Sequence, residues 1–363
     1  MPAIRSAHIT VFFLFDVAEG ADLAAVATLL GGASHPSRLA PRPAMPGYVQ
    51  YATPPVQVDG DALGLTPLDG FQSRLKVYDY GVISIALTRP FSGSWDALVS
   101  EAQTLVASGL EARAEACCRQ AVERLRPALH QPRLDYLSED YVVYGVTALD
   151  EPTGGEALLA SHGGDIARLL RGEREPLSAQ ERDEVLRHRL SYFASDLVVP
   201  SWSGAFVFDT EAGLAGALEL LEFANSQLLQ FRYYDQRLDH ELKRIYAQLQ
   251  ITRWYEPWFG RRYTAAAREL HALFIDVNEL TDRTENALKL VGDVYAARLL
   301  GLASARLGLE AWKSAVRDKL KTLDDIYRFA VDQTGMDRGE ILEAAIVFIL
   351  VLELVLFFMG IMT

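Results

Sequence analysis

The feature that most constrains this 363-residue chain is an apolar run near its C-terminus. Residues 344–362 read AAIVFILVLELVLFFMGIM, and Glu353 is the only charged side chain among them. A helix needs about 20 apolar residues to cross the roughly 30 Å hydrocarbon core of a bilayer. The run therefore predicts a single transmembrane anchor over 338–363. Because the N-terminus shows no signal-peptide pattern, we expect the preceding residues on the cytoplasmic face of the inner cell membrane.

Charge and cysteine content narrow the function classes further. The 35 Lys and Arg residues and 48 Asp and Glu residues give a net charge of −13 at pH 7. An acidic chain repels phosphate backbones, so we expect no nucleic-acid partner. The only cysteines, Cys117 and Cys118, are neighbours in sequence, which disfavours a disulfide between them. We interpret them as buried thiols in a reducing compartment, with a redox or metal role as the alternative.

Hydrophobic patterning in residues 1–208 mixes strand signals with helical ones. This mixture predicts an α+β domain with one sheet and helices on one of its faces. Two apolar runs, over 75–78 and 82–87, flank a short segment that ends at Gly81, which predicts either a β-hairpin or one long bulged strand. The helical pattern over 95–125 is expected to break near Gly109.

Residues 209–335 carry apolar side chains at alternating steps of three and four. Such heptad seams predict a long antiparallel three-helix coiled-coil stalk that leads into the anchor. We interpret the seams as packing within the chain, with self-association through an uncovered helix as the alternative. The first seam is apolar except for Asp235, and it runs through Ala217, Leu221, Ala224, Leu228, Phe231, Asp235, Leu238, Leu242, Ile245 and Leu249.

The segment between the first two stalk helices is rich in aromatic and basic side chains. Helix direction points this tip back towards the predicted bilayer, where Trp and Tyr favour the interface and Arg reaches phosphate headgroups. We predict that the tip contacts the membrane; packing on the N-terminal domain or on a neighbouring subunit is the alternative. Its residues are Trp254, Tyr255, Trp258, Phe259, Arg261, Arg262 and Tyr263.

Motifs that carry enzymatic chemistry are missing from the sequence. It holds no P-loop, dinucleotide fingerprint, HExxH or GxSxG pattern, and its seven histidines lack metal-ligand spacing. The local cluster at 161–165, SHGGD, is interpreted as a polar loop before a helix, because triad members converge from separate regions of a chain. We expect no enzyme, no cofactor and no metal site.

Glu353 is the chemically suggestive residue of the apolar run. A charged carboxylate at the centre of a bilayer costs roughly 2.5–3.5 kcal/mol. We predict that Glu353 is an oligomer contact inside the membrane. The alternatives are a protonated side chain that is tolerated there, and a group that conducts ions.

Three short features recur in order towards the C-terminus: the pair Lys319-Leu320, the pair Leu342-Glu343, and the acid Glu353 within the apolar run. With them, the C-terminal half resembles the Required for Meiotic Nuclear Division family, whose shared domain has no assigned function. This sequence has Arg317 where the family often has Asn, and Ala344 where it has Trp. The resemblance implies a membrane-anchored, oligomeric and non-enzymatic protein.

These patterns together predict a tail-anchored, non-enzymatic protein that acts as an oligomeric scaffold or tether. Its expected partners are the lipid bilayer and further copies of the same chain. Two alternatives come from other classes. One is an ion channel or transporter with Glu353 in the membrane path, and the other is an enzyme with an unrecognised site in the N-terminal domain.

Overall fold

A computed structural model describes residues 3–31, 34–36, 53–60, 70–133, 135–251, 274–275, 277–278, 282, 294–326, 328, 346–347 and 349. The chain divides into two compact units. The first unit comprises Met1–Tyr233 and Asp282–Trp312, and the second comprises Tyr234–Thr281 and Lys313–Thr363. The predicted domain limits at 208 and 335 stay predictions.

The described strands all belong to the first unit. They are β1 (Ile4–Asp16), β2 (Gly20–Ala21), β3 (His35–Pro36), β4 (Val56–Asp59), β5 (Gln72–Val77), β6 (Val82–Gly93), β7 (Leu129–His130), β8 (Leu137–Leu149), β9 (Leu197–Pro200) and β10 (Gly204–Phe208). Eight of them form one mixed sheet in the order β3-β4-β5-β6-β1-β8-β10-β9, and β2 pairs with β7. Neighbours in the large sheet are antiparallel except β8 and β10, which are parallel.

Helices surround this sheet and continue beyond it. They are α1 (Leu23–Leu30), α2 (Trp95–Ala107), α3 (Leu110–Leu125), α4 (Gly155–Arg171), α5 (Ala179–Arg187), α6 (Glu211–Ile251) and α7 (Val294–Arg306), followed by helical residues 309–326. Asp22 and Ser94 cap the first turns of α1 and α2 through their side-chain oxygens. Gly109, with φ of 66°, separates α2 from α3 and confirms the predicted break.

One face of the sheet packs against α1–α5. Alternate residues of β1, namely Ile9, Val11, Phe13 and Phe15, are buried in this core, as the two-residue period of a strand requires. Val26 of α1, Leu98 of α2 and Ile166 of α4 contribute to the same cluster. Burial of apolar surface, at about 25 cal/mol per Å², stabilises this layer.

The opposite face of the sheet lies under α6. The first part of the predicted seam, from Ala217 to Phe231, is buried, which confirms that these positions pack within the chain. A side chain at Gly145 of β8 would meet Leu214 at 2.5 Å, so this glycine permits the close approach of the helix. Helices therefore cover both faces, and the predicted arrangement of helices on one face followed by a separate three-helix stalk is wrong. The first six turns of α6 belong to the first unit, where they form the helical layer on this face of the sheet.

The predicted membrane anchor is also corrected. Among the described residues, no helix combines the length and apolarity that crossing a bilayer requires. This finding overturns the single-pass, tail-anchored topology and the location in the inner membrane. Crossing a bilayer requires one continuous apolar helix that pairs its own backbone groups, and the length of an apolar run in a sequence does not by itself establish such a helix. Of residues 344–362 only 346, 347 and 349 are described, and Glu353 lies outside the described residues.

The turn between β5 and β6 offers a test of this architecture. Gly81 has φ of 78°, and an added Cβ would lie 2.1 Å from the Ala18 carbonyl oxygen. We expect Gly81→Ala to lower the free energy of unfolding in urea by about 2–4 kcal/mol, because it combines backbone strain with a steric clash.

Gly164, in the interior of α4, is the matched control for that substitution. A Cβ added there would meet nothing within 4 Å, so Gly164→Ala should raise the free energy of unfolding by up to about 1 kcal/mol through helix propensity. Equal effects of the two substitutions would contradict the described packing.

Candidate functional site

A row of buried polar side chains lies between α6 and the β5–β6–β1 part of the sheet. Leu75 and Val77 of β5 face the apolar core, so the alternate residues Arg74 and Lys76 face α6. The α6 residues of the row recur at steps of three and four, which places them on one side of the helix. They are Glu219, Glu222, Ser226 and Gln230.

Lys76 is the centre of an ionic cluster in this row. Its Nζ lies 2.8 Å from Glu219 Oε2 and 2.6 Å from Glu222 Oε2. Arg74 Nη2 lies 3.0 Å from the same Glu222 oxygen. The Lys76 and Glu222 side chains are fully buried, whereas the Arg74 side chain is 29% exposed. Two positive and two negative groups thus neutralise one another at the edge of the buried layer.

The electrostatics of Glu222 follow from this arrangement. Burial disfavours the ionised carboxylate, but the charges of Lys76 and Arg74 outweigh burial, and the pKa of Glu222 lies below its ordinary value. The carboxylate therefore stays ionised inside the protein. Removing one member of such a cluster leaves an uncompensated buried charge, which is far more costly than losing a surface ion pair.

The row continues past the β5–β6 turn to the end of β1. Tyr80 Oη and Ser226 Oγ are hydrogen-bonded at 2.6 Å. Asp16 ends β1, and its Oδ1 accepts hydrogen bonds from Arg133 and, at 3.0 Å, from Gln230 Nε2.

Asp16 is fully buried, and its protonation is perturbed by that burial. Desolvation raises the pKa of its carboxyl to about 7, although Arg133 and Gln230 act in the opposite direction. Among the described carboxyl groups of this row, Asp16 is therefore the one whose pKa lies near neutrality.

The SHGGD cluster at 161–165 lies inside α4 and not in a loop, so that interpretation is corrected. His162 is buried, its Nδ1 lies 3.1 Å from Asp165 Oδ2, and its ring stacks on Trp95 at 4.5 Å. Its surroundings are those of a core histidine.

The two cysteines differ in burial. Cys118 is buried, and burial raises the pKa of its thiol, while Cys117 is half-buried. Within the described ranges, no group of three or more His, Cys, Asp or Glu side chains is placed to hold a metal ion.

Lys319 and Leu320, which carry part of the predicted family resemblance, are described in the second unit. Lys319 Nζ lies 2.7 Å from Asp235 Oδ1 and 2.6 Å from Asp239 Oδ1, and Leu320 is buried. These contacts tie the helix over 309–326 to α6 within that unit. The other predicted site residues lie outside the described residues: Trp254, Tyr255, Trp258, Phe259, Arg261, Arg262, Tyr263, Leu342, Glu343 and Glu353.

Comparison with known protein families gives a match over the part of the chain that forms most of this sheet. Residues 6–215 match the family described as "Uncharacterized protein MJ0711, N-terminal domain". The chain belongs to this family. The match lies in the N-terminal half, and it corrects the resemblance to the Required for Meiotic Nuclear Division family. Short pairs such as Lys319-Leu320 recur in many amphipathic helices, so they carry little specificity.

One relative that the chain matches is "Uncharacterized protein MJ0711" from Methanocaldococcus jannaschii. It is 23% identical over 222 residues, which cover 61% of this chain and 66% of the relative. The chain thus spans slightly less than two thirds of that relative's length. No solved structure gave a significant match.

The ionic cluster generates a stability prediction. We expect Lys76→Met to lower the free energy of unfolding by about 3–5 kcal/mol, because the buried carboxylates of Glu219 and Glu222 would lose the ammonium group that both contact. Adding Glu222→Gln to that variant should restore at least about 1 kcal/mol, since it removes the excess negative charge. Both values come from urea unfolding of the full chain.

Lys243, an exposed lysine of α6, provides the control. Lys243→Met should change the free energy of unfolding by no more than about 0.5 kcal/mol. A double variant at Lys76 and Glu222 that loses the sum of the two single effects would show that the two residues do not interact.

Proposed function

We propose that the protein is a non-enzymatic scaffold that assembles as a homo-oligomer. The observation that carries this proposal is a set of large aromatic side chains at the surface of the first unit. Tyr192 is 45% exposed, Phe193 is 58% exposed and Trp202 is 52% exposed. Tyr192 and Phe193 also contact each other edge to face, with their ring centroids 4.8 Å apart. Aromatic residues are enriched among those that dominate the binding energy of protein interfaces.

The loop that carries Tyr192 and Phe193 is held in a defined conformation. The buried carboxylate of Asp196 accepts hydrogen bonds from the backbone N–H of Tyr192 at 2.7 Å and from that of Phe193 at 3.0 Å. A Cβ added to Gly155 would lie 2.5 Å from the Asp196 carbonyl oxygen, so the start of α4 also fits closely against this loop. A partner that binds here therefore meets a loop whose backbone is already ordered, which lowers the conformational entropy cost of binding.

The buried ionic cluster supports the non-enzymatic part of the proposal. Lys76 and Glu222 form an ion pair of 2.6 Å, and both side chains are fully buried beneath α6. A substrate has no approach to them without removal of the helix. Their geometry suits a fixed structural tie, whereas general acid–base catalysis needs a group within reach of the substrate.

A second copy of the chain is the proposed partner. Soluble oligomers are most often symmetric assemblies of identical chains, and a two-fold contact brings the same patch of both copies together. Such a contact would bury Phe193 and Trp202 of each copy at one interface. The exposed aromatic rings would then form the apolar centre that interfaces of this kind contain.

The oligomer proposal is tested by the mass of the full chain in solution. Light scattering coupled to size-exclusion chromatography should give a multiple of 40.2 kDa for the wild-type protein. The double variant Phe193→Ser, Trp202→Ser should give 40.2 kDa, because the apolar centre of the contact is lost.

Tyr246 of α6 is a matched control, because it is 48% exposed but lies outside the loop and the β9–β10 turn. Tyr246→Ser should leave the mass unchanged. A wild-type protein that is monomeric at micromolar concentration would refute the proposal, and so would a double variant with the wild-type mass.

A further inference from the structure

We propose that Asp16, Arg133 and Gln230 form a proton-sensitive clasp, which holds α6 against the end of β1 and loosens as the pH rises towards neutrality. This inference concerns the fold of α6 and is independent of the scaffold function. It assigns a regulatory property to a cluster that has no role in the proposed oligomer contact.

The clasp lies on the last turn of α6 that belongs to the first unit. That unit includes α6 up to Tyr233, and Gln230 is one turn earlier. Gln230 Nε2 donates to Asp16 Oδ1 at 3.0 Å. The Arg133 guanidinium lies over the Tyr233 ring, 3.8 Å from its centroid, and also donates to Asp16 Oδ1 and to the Ala18 carbonyl oxygen. Asp16 and Arg133 thus join this turn of the helix to the sheet.

The two carboxylate oxygens of Asp16 have different surroundings. Oδ1 accepts the hydrogen bonds from Arg133 and Gln230, whereas Oδ2 is buried and receives no hydrogen bond from any described residue. An ionised carboxylate with a bare buried oxygen is poorly solvated. A proton on Oδ2 removes that charge without disturbing the contacts of Oδ1, so the closed clasp favours the neutral acid.

The groups that face Asp16 come from three elements. Arg133 lies after β7 and favours the ionised form, as does the hydrogen bond from Gln230 of α6. Glu19, in the turn after β1, favours the neutral form through its negative charge. Burial has a larger effect than any of these, and it raises the pKa of Asp16 in the closed clasp to about 7.

The direction of the pH effect follows from this pKa. An aspartate that becomes exposed to water has an ordinary pKa of about 3.9, so opening of the clasp releases a proton between that value and about 7. Opening is therefore favoured as the pH rises, by up to about tenfold per pH unit within this window. The stabilisation is fully present below the lower pKa and is lost as the pH passes the upper one. Above that point, both states are ionised and opening no longer depends on pH.

Hydrogen exchange of the full chain tests the clasp. Protection factors, corrected for the intrinsic pH dependence of exchange, should be compared for amides around Gln230 and around Leu221 of the same helix. In the wild type, the ratio of the two should change by up to about tenfold per pH unit between pH 5 and 7, with less protection at Gln230 at the higher pH. In Asp16→Asn, which cannot release a proton, the ratio should stay constant.

Two further variants separate the clasp from a general weakening of α6. Arg133→Gln removes the cation that favours ionised Asp16, so the window should extend to higher pH. Glu139→Gln is the control, because Glu139 pairs with Arg232 on the same stretch of α6 but is not among the groups that shift the pKa of Asp16. It should leave the pH dependence of the wild type intact.

A direct titration decides the case if Asp16→Asn does not fold. Carbon NMR of the aspartate carboxyl groups in the wild type should show one midpoint near 7, and Arg133→Gln should move that midpoint upward. An Asp16 midpoint below 5 would overturn the proposal. So would an unchanged pH dependence of exchange in a folded Asp16→Asn protein.

Discussion

The contact of Lys76 with Glu219 and Glu222 is the constraint on which the first unit depends. The buried charges are tolerated only when α6 holds both carboxylates within hydrogen-bonding distance of one ammonium group. A shift of the helix by one residue would rotate these carboxylates away from the lysine, because successive helical side chains point in different directions. The cluster therefore fixes the position of α6 along the sheet, while the apolar seam supplies most of the burial.

Local signals in the sequence predicted the parts of the fold that depend on neighbouring residues. The turn at Gly81 and the break at Gly109 both require a positive φ, which glycine adopts without strain. The seam from Ala217 to Phe231 was also predicted, since its spacing reports which side of a helix is buried. The surface that buries it was not predicted, because a heptad pattern does not distinguish a helical partner from a sheet.

The candidate site could not be predicted, for a related reason. Lys76 and Glu219 are 143 residues apart in sequence, and each resembles an ordinary surface residue in its local context. The sequence offered two signals of a buried charge. One is Lys76 within a strand, and the other is Asp16 at the end of an apolar run. A charged side chain on the inward-facing period of a strand needs a buried partner, but the sequence does not reveal which one. The family resemblance in the C-terminal half failed because its motifs were too short to be specific.

The separation between β5 and α6 has a consequence for synthesis of the protein. A nascent chain can pair β1 with β6 as soon as residue 93 has emerged, but Lys76 has no carboxylate partner until α6 follows. During that interval, one face of the sheet is uncovered and carries an unneutralised ammonium group. A fragment that stops at residue 208 would remain in this condition permanently. Expression of the sheet without α6 should therefore yield an aggregation-prone polypeptide. Because the first unit also includes Asp282–Trp312, the useful truncation limit lies beyond Trp312.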